Sequence, residues 1–252
     1  MLKKRLIPVL ILRDGRVVQS VNFRHTNVIH TNPVTAVDFF NAWAVDELVV
    51  LDVSRDTRQR QKFYDAVLSL SRKCFVPLTV GGWVKTADEV RDLLRLGADK
   101  VVINTEAFRR PEFITECATF FGSQCVVLSI DCRRSEALTH EVYVERGREA
   151  TGVGAVDWAK AAAARGAGEI FLTSIDHDGA RQGYDLALMR SVAETVEIPV
   201  IAFGGVFTWE HLVEGVREGQ ADAVAAANIF HYTEHSTKKA KEHLRASAID
   251  VR

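Results

Sequence analysis

The chain has 252 residues, 47% apolar and 26% charged, a composition typical of soluble globular proteins and unlike that of disordered or fibrous chains. Its 32 Lys+Arg against 33 Asp+Glu leave a formal net charge of −1, which argues against a basic groove and against nucleic acid as chief partner. The length suits one eight-fold α/β barrel, whose core needs no disulfides.

The first element is the run MLKKRLIPVLIL, which mimics a signal peptide by placing lysines before an apolar stretch. It holds Pro8, lacks a small-residue cleavage site and ends at Arg13-Asp14, so it reads as a buried strand. Further short runs rich in Val, Ile and Leu follow: LVVLDV from Leu48, PLTV from Pro77, VVIN from Val101, VVLSID from Val126, IFLTS from Ile170, PVIA from Pro199 and AVAAA from Ala223. Continuous apolar runs of this length mark parallel strands buried on both faces. Amphipathic segments lie between them, among them TADEVRDLLRLG (Thr86 to Gly97) and DWAKAAAARG (Asp157 to Gly166), and STKKAKEHLRASAID reads as a solvated closing helix. Trp43, Trp158 and Trp209 fall in helical segments and read as packing residues.

The strand starts near 6, 48, 77, 101, 126, 170, 199 and 223 are separated by 42, 29, 24, 25, 44, 29 and 24 residues. The series 42, 29, 24 returns as 44, 29, 24, so the chain reads as a duplication with an offset of about 120 residues. AVDELVVLD from Ala44 then matches GAGEIFLTS from Gly166, and VGG from Val80 matches FGG from Phe203. The expected fold is one (β/α)8 barrel over residues 1–252, built from two half-barrels, although an open doubly wound sheet fits the strand count alone. Four cysteines (Cys74, Cys117, Cys125, Cys132) are scattered without a C-x-x-C pair and read as buried thiols of a reduced compartment. No apolar stretch reaches the roughly 20 residues needed to span a bilayer, so a cytoplasmic protein is expected.

In such a barrel the chemistry sits on the loops after the strands. Two Gly-Gly pairs end strands, Gly81-Gly82 and Gly204-Gly205, and an Asn follows the second glycine of each after 22 or 23 residues, at Asn104 and Asn228. Glycine lets the backbone approach an anion, so the pairs read as two phosphate cradles. Thr105, Thr173, Asp178 and Gly179 occupy neighbouring strand ends. Turn glycines inherited by duplication are the plainer reading. Asp131 ends an apolar strand and points toward the barrel mouth, where desolvation raises a carboxyl toward acid–base use; a helix-capping aspartate is the alternative. The duplication sets Ile11 opposite Asp131, leaving one carboxylate where two might face each other. At the other end Arg5, Glu47, Lys100 and Glu169 each precede an apolar run, and turned inward they would form a ring of alternating charge that plugs or gates the axis. Charges at strand starts are also commonplace. His231 and His235 lack a third metal ligand nearby in sequence, and Ser174 lacks a G-x-S-x-G turn, so neither points to a site and no metal is expected.

The segments KKRLIPVLILRDGRVVQSVNF, DELVVLD, PLTVGGWV, GADKVVINTEAF, GAGEIFLTSIDHDG and FHYTE resemble the cyclase subunit of imidazole glycerol phosphate synthase across nearly the whole chain. The resemblance implies a duplicated barrel that forms a heterodimer with a separate glutaminase on its floor. Ammonia then passes through the barrel and closes an imidazole ring on a bisphosphorylated ribonucleotide at the top. It implies a gate at Arg5, Glu47, Lys100 and Glu169, partner communication at Asp99, a catalytic base at Asp131, and phosphate contacts at Gly82, Asn104, Thr105, Asp178, Gly179 and Gly205. It implies no metal and no organic cofactor.

The departures lie at the top. The family's catalytic acid is Ile11, a lysine is Gln19, the third glycine of the first cradle is Trp83, and two serines are Phe203 and Asn228. Ile11 transfers no proton, and a general acid or base supplies roughly 100- to 10,000-fold in rate. The favoured expectation is a divergent paralogue that docks a glutaminase and conducts its ammonia to another acceptor. Some relatives of this kind are associated with sugar amidation for surface polysaccharide (lipopolysaccharide), where a downstream amidotransferase uses the nitrogen. The alternatives are a working cyclase of histidine biosynthesis and a non-catalytic scaffold that activates the glutaminase.

Overall fold

The computed structural model describes residues 3–42, 45–137, 139–231 and 236–252. The first strand, β1 (Arg5–Arg13), is buried over Arg5 to Leu12. Leu6, Leu10 and Leu12 turn outward to the helices while Ile7, Val9 and Ile11 turn into the barrel, which is why the run is continuously apolar. The next strands are β2 (Arg16–Val21), β3 (His25–His30), β4 (Leu48–Asp52), β5 (Leu78–Gly81), β6 (Lys100–Ile103) and β7 (Val126–Arg134). They are followed by β8 (His140–Val144), β9 (Glu149–Gly154), β10 (Glu169–Ser174), β11 (Val200–Phe203) and β12 (Ala223–Ala226).

Eight of these close into a parallel barrel. β1 pairs with β4, β4 with β5, β5 with β6, β6 with β7, β7 with β10, β10 with β11, β11 with β12, and β12 returns to β1. The closing pairing sets Arg5 beside Ala223, and Ile11 stands beside Leu51 across the β1–β4 seam. The remaining strands form two antiparallel hairpins, β2–β3 after β1 and β8–β9 after β7. These hairpins fill the two long steps of the strand spacing. Each follows the first strand of a half-barrel, so the duplication extends to them, although the sequence pattern shows no alternating run that marks them as strands.

The helices are α1 (Pro33–Ala42), α2 (Arg60–Ser71), α3 (Ala87–Arg95), α4 (Thr105–Arg109), α5 (Glu112–Phe121), α6 (Ala155–Ala164), α7 (Leu186–Ala193), α8 (Trp209–Arg217) and α9 (Ser236–Ala246). Sequence dictates their ends. Thr86 caps α3 by accepting from the Glu89 N–H while the Glu89 carboxylate accepts from the Thr86 N–H, a reciprocal box that satisfies two orphan donors. α6 buries Ala155, Trp158, Ala159 and Ala162, and its alanines let the helix lie close on the sheet. The closing helix is less solvated than its composition implies. α9 buries Ser236, Thr237, Ala240, Lys241 and Leu244, and the Lys241 ammonium reaches Asp46 at 2.6 Å.

Trp158 is buried as expected and Trp209 stacks on Phe230; Trp43 lies outside the described residues. The cysteines are free thiols, but only Cys117 and Cys132 are buried, while Cys74 and Cys125 sit half-buried near element ends. Burial pushes the Cys117 thiol up to about 12, leaving it protonated and unreactive at neutral pH. Among the described residues no helix is long and apolar enough to cross a membrane.

Candidate active site and barrel floor

At the amino-terminal end of the barrel four charges close on one another. The Arg5 guanidinium donates to Glu47 at 2.8 Å and to both oxygens of Glu169 at 3.1 and 3.2 Å. On the opposite side the Lys100 ammonium donates to both Glu47 oxygens at 3.1 Å and to Glu169 at 3.0 Å. The Thr79 hydroxyl adds a 2.7 Å bond to Glu47, so its carboxylate is fully engaged. Arg5, Lys100 and Glu169 open β1, β6 and β10, and Glu47 immediately precedes β4; the signs alternate around the axis. Burial alone would draw the Arg5 guanidinium down, but the charges of Glu169 and Glu47 outweigh it and hold it above its ordinary value.

Asp99 lies just outside this ring. Its carboxylate accepts the Leu78 N–H at 2.8 Å, as Asp46 accepts that of Leu6 at 2.9 Å and Asp222 that of Val200 at 3.1 Å. Each aspartate precedes one barrel strand and pins the start of its neighbour, so Asp99 has a structural duty beside any role toward a partner.

At the opposite end the strand ends surround a cavity of about 290 Å³. Its base is apolar, formed by Ile11, Leu51, Val102, Phe171 and Phe203, with the two phenylalanine rings 5.0 Å apart. Gly81, Gly82, Asn104, Thr105, Asp131 and Thr173 all line it. Asp131 is buried; the Asn104 amide donates to its Oδ2 at 2.8 Å, and the Thr173 hydroxyl bonds it as well. Desolvation pushes the carboxyl up to about 7 against the pull of those hydrogen bonds, so it exchanges a proton near neutrality. Two side chains read from sequence as phosphate contacts are thus engaged within the protein. The Asn104 amide holds Asp131, and the Thr105 hydroxyl accepts from the Glu145 N–H at 3.1 Å.

The second glycine set gathers around a separate cavity of about 70 Å³ lined by Asp178, Gly179, Gly204, Gly205 and Asn228, with Gln19 at its edge. Gly205 has φ 89°, and a Cβ there would lie 2.1 Å from the Gly183 carbonyl oxygen, so no other residue fits the turn. The Asp178 carboxylate is engaged by the first hairpin. It accepts from the Ser20 hydroxyl at 2.7 Å and the Phe23 N–H at 3.3 Å, tying the first hairpin to the loop after β10, and burial raises its pKa. Asn228 Oδ1 is buried with no hydrogen-bond partner, which leaves an acceptor in the wall of the small cavity.

Asp52, the last residue of the run LVVLD, is a further carboxylate at the cavity that the sequence does not single out. It is buried at the end of β4, with Oδ1 accepting from the Ser54 N–H at 2.8 Å and the Trp83 indole at 3.1 Å, while Oδ2 has no partner. Burial raises its pKa too. Trp83 stands in the left-handed region at φ 63°, the conformation a glycine would adopt after Gly81-Gly82. Its ring is held between the Asp52 hydrogen bond and the Arg146 guanidinium, 5.4 Å from the ring centroid. A tryptophan in a glycine conformation is a signal that sequence carries, but its partners come from strands and turns far away in the chain. Of the two spaced histidines, His231 packs its ring 5.4 Å from that of His30, and His235 lies outside the described residues. A family model described as "Histidine biosynthesis protein" matches residues 5–236, nearly the whole chain.

Proposed function

We propose that this chain, which belongs to the histidine biosynthesis protein family, accepts ammonia at the barrel floor from a docked glutaminase subunit and passes it to the cavity at the top. The observation that carries this reading is the closed ring of Arg5, Glu47, Lys100 and Glu169. It has no net charge, and each cation contacts both glutamates at about 3 Å, so the four side chains close on one another at the barrel end. Lys100 is the movable member. It is the most exposed of the four and carries a point charge on a flexible stem, and the Arg5 guanidinium bridges both glutamates without it. Swinging Lys100 aside therefore opens one side without dissolving the ring.

Above the ring the barrel interior is apolar, filled by Ile7, Val9, Val49, Val127, Phe171, Ile201 and Ala225. Such a passage admits neutral ammonia and rejects ammonium, whose desolvation is far more costly. The acceptor differs from that of a ring-closing cyclase, because Ile11 lies at the cavity base where a second carboxylate would be needed. The nitrogen goes instead to sugar amidation for surface polysaccharide by a downstream amidotransferase, in the cytoplasm.

One observation favours a second reading. Asp131, buried and pushed up to about 7, exchanges a proton near neutrality as acid–base chemistry requires, so cyclase chemistry in histidine biosynthesis is the alternative. A single experiment separates the two. The complex with the glutaminase is assayed for glutamine hydrolysis against acceptor amination, in wild type and Lys100→Met, and the barrel alone is assayed for cyclisation with ammonium salt. Passage predicts that Lys100→Met hydrolyses glutamine while most ammonia escapes to solvent; unchanged coupling overturns it. Cyclisation by the barrel well above buffer background favours the second reading.

A further inference from the structure

Two cavities lie at the lip of the barrel, and among the described residues Phe203 is the one side chain that lines both. The first glycine pair, Gly81-Gly82, opens onto the main cavity of about 290 Å³, and the second, Gly204-Gly205, onto the smaller one of about 70 Å³. These pairs close β5 and β11, which the strand order sets four strands apart in either direction, on opposite sides of the barrel. A ligand held at both turns would therefore have to cross the mouth, and Phe203 stands in its way.

The ring is fixed by its strand. Phe203 is the last residue of β11 and is 4% exposed. Alternation along the strand sends Ile201 and Phe203 into the barrel and Ala202 out to the helices. Its backbone stands in register with Thr173 of β10, and its ring lies 5.0 Å from that of Phe171, an attractive aromatic pair. The chain that follows is tightly seated as well: a Cβ on Gly204 would lie 3.2 Å from the Ser174 carbonyl oxygen, and one on Gly205 2.1 Å from that of Gly183. β5, the corresponding strand of the other half, ends on Gly81. A phenyl ring thus occupies in one half what is bare backbone in the other.

We propose that Phe203 is a partition that sets ligand specificity: it confines the ligand of this barrel to a compact molecule within the main cavity, beside Asp131, and denies it an elongated molecule held at both glycine turns. An elongated polar ligand would have to lie across two phenyl rings that offer it no hydrogen bond, and the water it shed there would go unreplaced. A compact ligand avoids that wall and meets the polar side of the cavity at Asn104, Asp131 and Thr173. The partition goes beyond ammonia passage and does not rest on it, because it limits what the top admits whether or not ammonia arrives.

The test is calorimetric titration of the purified full chain, with no glutaminase or ammonium present. The elongated probe is the bisphosphorylated ribonucleotide taken by ring-closing cyclases, and the short probe is inorganic phosphate, which reaches one turn at a time. Phe203→Ser removes the ring; Phe203→Leu shortens it while keeping an apolar strand residue, and decides the matter if the serine variant does not fold. Phe120→Ser, at an exposed position on α5, is the control. The elongated probe is expected to bind Phe203→Ser about ten-fold more tightly than wild type and Phe203→Leu to an intermediate degree, with the control changed less than about two-fold. Inorganic phosphate is expected to bind wild type and variants alike. No gain for the elongated probe in a folded Phe203 variant, or an equal gain for phosphate, would overturn the partition. Either result leaves the Lys100 coupling measurement untouched, since that experiment reads the floor.

Discussion

Asp131 carries two opposing influences in one side chain. Burial favours its neutral form, while hydrogen bonds from Asn104, Ser129 and Thr173 favour the carboxylate, and burial wins to leave the group at about 7. The unfolded chain ionises the same carboxyl near pH 4. Between those values the folded state holds a proton that the unfolded state has released, so this group's contribution favours unfolding increasingly as pH rises from about 4 to about 7. Asp131→Asn keeps the shape and removes the charge. It is therefore expected to be more stable than wild type at pH 8, by on the order of 2–4 kcal/mol, with the difference shrinking toward pH 4. Urea unfolding of both proteins at pH 4.5, 6 and 8 measures this, and a constant difference across that range would refute the assignment. Burial raises the Asp52 carboxyl in the same direction, against hydrogen bonds from Ser54 and Trp83.

The loop between β10 and α7 anchors both hairpins, and this decides the shape of the mouth. Asp178 in that loop holds Ser20 and Phe23 of the first hairpin, while Asp185 at its end caps α7 and accepts from His140 of the second at 3.1 Å. Burial opposes the Asp185 charge, but bonds from His140, Leu188 and Arg134 hold the carboxyl well below the usual range. Elsewhere the elements keep to local rules that can be tested one at a time. The capping box of α3 is legible in T-x-x-E, and Thr86→Ala removes its acceptor from an exposed helix start. The expected loss is about 1 kcal/mol, read as a shift of the denaturation midpoint with unchanged slope. A loss below a few tenths would mean that packing of Val90 and Leu93 alone holds the helix start.

For the molecule as a whole, the floor ring joins the two half-barrels. Arg5, Glu47 and Lys100 belong to the first half and Glu169 to the second, so each cation bridges the halves. A buried ion ring of this kind adds little net stability against an apolar alternative, yet removing one member leaves charges without partners in a dry site. Glu47→Gln is the severe case, because Glu47 is 2% exposed and serves Arg5, Lys100 and Thr79 together. It is expected to lose about 3 kcal/mol, seen as a lower thermal midpoint, and a neutral result would show that water already screens the ring. The hairpins and the ring sit at opposite ends, so stability changes at the floor and ligand effects at the lip should be independent.

Sequence by itself determined the eight strands, their order and the duplication, because a strand buried on both faces must be apolar throughout and the spacing repeats where the structure repeats. It also located the ring positions, since a charge just before such a strand has only the barrel end to occupy. The two glycine pairs were legible as a repeat, and the second glycine of each, Gly82 at φ 133° and Gly205 at φ 89°, leaves no room for a side chain. What the tertiary structure alone decided is proximity across the chain. Asn104 turning to Asp131, the indole of Trp83 meeting Asp52, and Arg146 reaching the Ser54 carbonyl join residues 27 to 92 positions apart. Exposed arginines on turns leave no pattern in sequence, because solvent accepts them anywhere. Arg146 takes its place only when folding sets it against the Trp83 ring and the Ser54 carbonyl.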